Sequence, residues 1–153
     1  MLELNTGSKT FEVKFNLKAL MKVNSEFSNI ENGKSNDDGA SVAYVQLLTG
    51  NDKTLVDVIK LCADSKVSDS EVEQAIENYV EENSDNEEAY KEFFNLIIEE
   101  FKNSRFFGKK AKDIQAQMTK QKEMILAQDP QTEKSKEKLD SMEYILTLMK
   151  QEK

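Results

Sequence analysis

At 153 residues the chain fits one ordinary domain, or one domain with a helical tail; with 38% apolar and 33% charged residues its core is modest and its helix faces are well solvated. The net charge of −8 is uneven: residues 1–65 carry −2, residues 66–101 carry −10 and residues 102–153 carry +4, which argues against nucleic acid and anionic membranes as partners. Histidine is absent and Cys62 is the single cysteine, which removes the commonest general base and zinc ligand and any internal disulfide.

The N-terminus has no basic stretch followed by an apolar one, so no signal peptide is expected. Apolar runs fall far short of the ~20 residues of a membrane span. Leu2 and Leu4 alternate with polar residues, and after Asn5-Thr6-Gly7-Ser8 the run Phe11-Glu12-Val13-Lys14-Phe15 repeats the alternation. This predicts a β-hairpin with a Gly-containing turn. Two strands alone are marginal in water, so their apolar face must lie on a helix or on another chain. Lys9 and Lys14 discourage pairing at its open edge.

Asn16 predicts an N-cap for a helix carrying Leu17, Leu20, Met21 and Phe27, ending around Asn29 to Gly33. Residues 32–39 read as a loop by composition. A second helix holds Val42, Val45, Leu47 and Leu48 and stops near Gly50. A third starts at Asn51-Asp52 with Leu55, Val56, Ile59 and Cys62 on its buried stripe.

Ser68-Asp69-Ser70-Glu71 has capping-box spacing, and Val72, Ala75, Ile76, Tyr79 and Val80 follow on one helical face. Asn83-Ser84-Asp85-Asn86 breaks that helix, and Tyr90, Phe93, Phe94, Ile97, Ile98 and Phe101 repeat the pattern. Phe106-Phe107-Gly108 closes this unit. Residues 109–153 are polar, with two sparse helical patterns: Ile114, Met118, Ile125 and Leu126, then Leu139, Met142, Ile145, Leu146 and Met149. Asp129-Pro130 divides them, with the proline at the first position of the second helix. This extension is either a helical hairpin or a segment partly disordered until a partner supplies apolar surface. The expected fold is mainly α: an N-terminal β-hairpin and a small helical bundle over residues 1–108, with a C-terminal helical extension over 109–153.

No chemistry stands out. Gly33-Lys34-Ser35 ends like a phosphate-binding loop, but Ser28 stands where its first glycine belongs. Asp37-Asp38, Asn51-Asp52 and the Asn83–Glu88 stretch lack calcium-loop spacing, and helix capping explains them. Cys62 reads as a small buried hydrophobe. No catalytic, cofactor-binding or metal-binding residue is expected.

In order, composition and spacing, these segments resemble the tail assembly chaperones of long-tailed bacteriophages of Gram-positive hosts. The resemblance covers roughly residues 2–108. It rests on the hairpin Leu2-Glu3-Leu4 with Thr10-Phe11-Glu12-Val13-Lys14-Phe15, and on the helix start Asn16-Leu17-Lys18-Ala19-Leu20. It continues through the helix pair around Val42-Ala43-Tyr44 and Leu55-Val56-Asp57-Val58-Ile59. It ends with the acidic helix from Ser68 and the helix finishing Glu99-Glu100-Phe101-Lys102-Asn103-Ser104-Arg105-Phe106-Phe107.

The resemblance implies a non-enzymatic helper that binds the tape measure protein, keeps it soluble and helps recruit the major tail (tube) protein around it. Such proteins act in the host cytoplasm, work as many copies side by side, and are absent from the mature virion. Many exist also in a longer, frameshifted form. Candidate partner contacts are Phe93, Phe106 and Phe107, with Met118, Met124, Met142 and Met149 as adaptable side chains. Rival readings are a generic helical protein–protein adaptor and an acidic DNA-mimic regulator.

Overall fold

The computed structural model describes residues 2–35, 38–127 and 133–151. Strands β1 (Leu2–Asn5) and β2 (Thr10–Val13) pair antiparallel, with Leu4 opposite Phe11 and Leu2 opposite Val13. Their period-two pattern puts Leu4, Phe11 and Val13 on one buried face. The Gly7 N–H donates to Asn5 Oδ1 at 2.6 Å and the Thr6 N–H to the Lys9 carbonyl at 2.9 Å, which closes the turn. One edge of the hairpin is covered by the stretch at 62–64: Lys14 N–H donates to the Cys62 carbonyl and Asp64 N–H to the Glu12 carbonyl, both at 2.8 Å.

Asn16 Oδ1 accepts the Ala19 N–H at 2.9 Å and caps α1 (Leu17–Phe27). The buried stripe differs from the expected one. Ala19, Leu20 and Val23 face the core, while Leu17 and Met21 are 50% and 63% exposed. A repeat running from Leu20 through Val23 to Phe27 places residues 17 and 21 on the flank. Residues 32–39, read as a loop, hold the Asn32-Gly33 turn and the second strand of a short antiparallel pair, β3 (Ile30–Glu31) with β4 (Lys34–Ser35). Asp37 lies outside the described residues.

Helix α2 (Gly39–Leu48) is capped by another helix. Ser28 Oγ accepts the Gly39 N–H at 2.9 Å and Asn24 Oδ1 accepts the Ala40 N–H at 2.8 Å. Asp38, at the N-cap position, binds the Asn29 N–H and side-chain amide instead, at 2.8 and 2.9 Å. So close is the crossing that a Cβ on Gly39 would sit 2.5 Å from Asn24 Cα. Ala40, Ala43, Tyr44, Leu47 and Leu48 are buried; Val42 and Val45 are only half-buried.

Asn51 Oδ1 accepts the Thr54 N–H at 3.0 Å and starts α3 (Asp52–Cys62), which buries Leu55, Val58, Ile59 and Cys62. Helix α4 (Asp69–Glu82) has the reciprocal capping box: Glu71 N–H to Ser68 Oγ at 3.1 Å and Ser68 N–H to Glu71 Oε1 at 2.9 Å. It lies against β1, where the Asn78 amide donates to the Asn5 carbonyl at 3.0 Å. Asn86 caps α5 (Glu87–Asn103), which buries Phe93, Phe94, Ile97, Ile98 and Phe101.

Phe107 and Gly108 form the first turn of α6 (Phe107–Leu126) and are both buried. A Cβ on Gly108 would lie 2.5 Å from the Lys102 carbonyl oxygen, so only glycine permits this close approach of α5 and α6. Helix α7 (Glu133–Gln151) packs on α6 and α2. Asp129 and Pro130, expected to divide the two helices, lie outside the described residues. Ala111, Leu146 and Met149 join the main core, whereas Ile125, Leu139 and Met142 form a small separate cluster. With the Lys122–Glu143 ion pair at 3.3 Å, these contacts set α6 and α7 antiparallel. The protein is mainly α: a β-hairpin followed by packed helices.

Candidate protein-binding surfaces

The aromatic residues meet at the junction of α2, α5 and α6. Phe101 stacks on Tyr44 (centroids 5.0 Å apart, 20° between planes) and meets Phe107 edge-on at 4.9 Å; Phe15 meets Phe107 at 5.0 Å and 88°. Phe93 packs on Tyr79 at 4.9 Å. Phe93 and Phe107 have no exposed surface, and Met142 and Met149 are also buried. Phe106 and Met118 are half-buried at the margin of the main core, and Met124 is 62% exposed. The candidate contacts thus fall into an accessible set (Phe106, Met118, Met124) and an interior set (Phe93, Phe107, Met142, Met149).

Two grooves of opposite charge lie on the surface. The first, of about 660 Å³, runs between α3, α4 and the start of α5. Its floor is Val56, Ile76, Val80 and the Tyr90 ring; Asp52, Glu73, Glu77, Glu81 and Asp85 rim it. Glu73, Glu77 and Glu81 repeat every four residues, so α4 presents them as one row. None of these three, nor Asp85, is ion-paired among the described residues. Tyr90 Oη donates to Asp52 Oδ1 at 2.5 Å, tying α5 to α3. Burial and that bond raise the Tyr90 phenol well above its ordinary value.

The second groove, of about 560 Å³, lies between the start of α1 and the end of α3. Lys14, Lys18, Lys22, Lys60 and Lys66 line it, against Asp64 as the one carboxylate. Lys14, Lys18 and Lys22 recur every four residues across the start of α1, and only the fold brings Lys60 and Lys66 to face them. The acidic row on α4 was legible as Glu at i, i+4 and i+8; what lay opposite it was not.

Residues 3–115 match the family described as phage tail assembly chaperone protein, TAC. The chain belongs to the phage tail assembly chaperones. No curated protein and no solved structure matches it. Membership gives the chain a role in phage tail assembly. The matched span runs from β1 into the third turn of α6, so both grooves of this tail assembly chaperone lie within it.

Cys62 is buried, and burial pushes its thiol up to about 12, far from a reactive thiolate. Among the described residues no three His, Cys, Asp or Glu side chains are grouped to hold a metal ion. Likewise, among them, no helix is long and apolar enough to cross a membrane.

Proposed function

We propose that this tail assembly chaperone binds the tape measure protein by receiving basic amphipathic helical stretches of it in the acidic groove of α3, α4 and α5. The observation that carries this reading is the pairing of an apolar floor with a rim of carboxylates, of which Glu73, Glu77, Glu81 and Asp85 are in no ion pair among the described residues. A helix with one apolar stripe flanked by lysines or arginines meets such a groove with both its faces satisfied. Removing the stripe from water supplies affinity, and the charges supply orientation and rate.

In this reading the bundle of residues 1–108 presents the groove, and the extension of residues 109–153 braces it. Phe106, Met118 and Met124 add further adaptable contacts, while Phe93, Phe107, Met142 and Met149 pack the interior. Several copies in a row along the client keep it soluble in the cytoplasm of a Gram-positive host. They then help recruit major tail tube subunits and leave before the virion is complete. The protein acts by binding and catalyses no reaction: the sequence offers no histidine, and its one thiol is buried.

Co-expression with tape measure fragments tests this. The wild-type chain should hold a fragment in solution and coelute with it on a sizing column. Replacing Glu73, Glu77 and Glu81 together by Lys should abolish the complex while the circular dichroism melt stays unchanged, since all three side chains are exposed. A triple variant that still solubilises the fragment ends the groove assignment, and a wild-type chain that never does ends the client assignment.

A further inference from the structure

The lysine-lined groove at the end of α3 is not used by that reading. We propose that it docks an acidic segment of a partner protein, one with apolar side chains set between its carboxylates. The inference stands whether or not the acidic groove holds the client.

Charge is the first argument. The chain has 29 acidic and 21 basic residues, yet five lysines surround this groove with Asp64 as the one carboxylate in its lining. Asp64 is already engaged, accepting the Glu12 N–H at 2.9 Å. Lys60 pairs with Asp69 at 3.1 Å across an exposed gap. Lys14, Lys18, Lys22 and Lys66 pair with no carboxylate among the described residues. Like charges gathered this way repel one another, and a ligand carrying several carboxylates relieves the repulsion. The fold holds the arrangement in place: Lys18 and Lys22 sit one turn apart on α1, and the backbone bonds between Lys14 and Cys62 and between Asp64 and Glu12 fix the opposite wall.

The second argument is the floor. Ala19, Leu61, Cys62, Ala63 and Val67 lie beneath the amines. Outside that lining, Leu17 and Met21 expose half or more of their surface on the flank of α1. Apolar surface under a ring of amines suits a peptide with mixed side chains better than a bare phosphate backbone. The length of the ligand follows from the surroundings. Asp69 and Glu71, at the start of α4, stand just past Lys66 and open the most acidic third of the chain. A long uniform polyanion such as RNA, or an anionic bilayer, would run onto that repulsive stretch, whereas a short acidic segment ends before it.

Fluorescence anisotropy on the full chain tests this, with a labelled peptide of repeated Glu-Glu-Leu triplets as probe. Binding should weaken steeply with added salt, as screening of exposed charges requires. It should weaken by about tenfold or more when Gln replaces Glu in the peptide, or when Lys18, Lys22 and Lys66 are all changed to Glu. Changing the three lysines to Gln should give an intermediate loss, and circular dichroism checks that each variant folds. Absence of peptide binding at low salt, or equal binding by the Glu-substituted variant, overturns the proposal. So does tighter binding of polyuridylate or of phosphatidylglycerol vesicles than of the peptide. Self-association that depends on the three lysines and is not displaced by the peptide would give the groove to a second copy, and overturns it too. The variants leave the acidic groove intact, so client binding is scored separately.

Discussion

The α6–α7 pair is held firmly at one end and sparingly at the other. Where it meets the bundle, Phe107 locks into Phe15 and Phe101, Gly108 lets the backbones touch, and Leu146 and Met149 enter the main core. At the far end Ile125, Leu139 and Met142 are buried in a cluster of their own, with the Lys122–Glu143 pair across the seam. All of this comes from the same three-and-four helical spacing. What separates the ends is how many elements stand opposite each stripe: α5, α2 and β2's outgoing chain at one, a single helix at the other. Stability should therefore fall along the pair, and the far end should open before the bundle does.

Thiol labelling gives the widest contrast. Cys62 sits inside the bundle with its thiol pushed up to about 12, against ~8.5 for a free cysteine. At mildly alkaline pH the folded protein should react with iodoacetamide about a thousandfold more slowly than the unfolded chain. A cysteine introduced as Met124→Cys, on the exposed side of α6, should react at the unfolded rate. Mass spectrometry of timed samples measures both, and fast labelling of Cys62 in native buffer would break the contrast.

Urea denaturation supplies the next. Phe101→Ala removes a fully buried ring in contact with Tyr44, Phe15 and Phe107, and should destabilise the whole fold by about 3–5 kcal/mol. Leu139→Ala, in the small cluster, should lose about 2 kcal/mol, at the low end for such changes. Its effect on hydrogen exchange should be confined to α7 and the second half of α6. Faster exchange throughout α5 in that variant would mean the two ends are not separable. Loss of the capping box in Ser68→Ala should cost about 1 kcal/mol, felt by the bundle as a whole. Smallest of all, Leu17→Ser and Met21→Ser should each stay within about 1 kcal/mol, because half or more of each side chain is already in water.

The same contrast marks what the sequence made legible. Helices α4 and α5 were clear because a capping box and dense apolar stripes are local signals. The hairpin was clear because alternation and its turn residues are local too. The face of α1 was misread: Leu17 and Met21 are apolar, but only the position of the rest of the bundle decides which flank is covered. The start of α2 was obscure because its caps come from Asn24 on α1 and Ser28 just past that helix's end. Phe93 and Phe107 illustrate the main limit. An aromatic stripe declares that something must cover it, and nothing in its spacing tells a neighbour in the same chain from a separate protein. The lysine groove was half visible: Lys14, Lys18 and Lys22 repeat every four residues, but nothing local says that Lys60 and Lys66 stand opposite them.

The way α1 hands over to α2 has a practical consequence. Ser28 grips Gly39 and Asn29 grips Asp38, so the two ends of the intervening excursion are clamped together whatever lies between them. Lengthening a loop whose ends are already joined is cheap, about 0.6 kcal/mol per doubling. Its Asn32-Gly33 tip is exposed and belongs to neither charged groove. An epitope or fluorophore sequence grafted at that tip would make the protein traceable during particle assembly in an infected cell while both grooves stay bare.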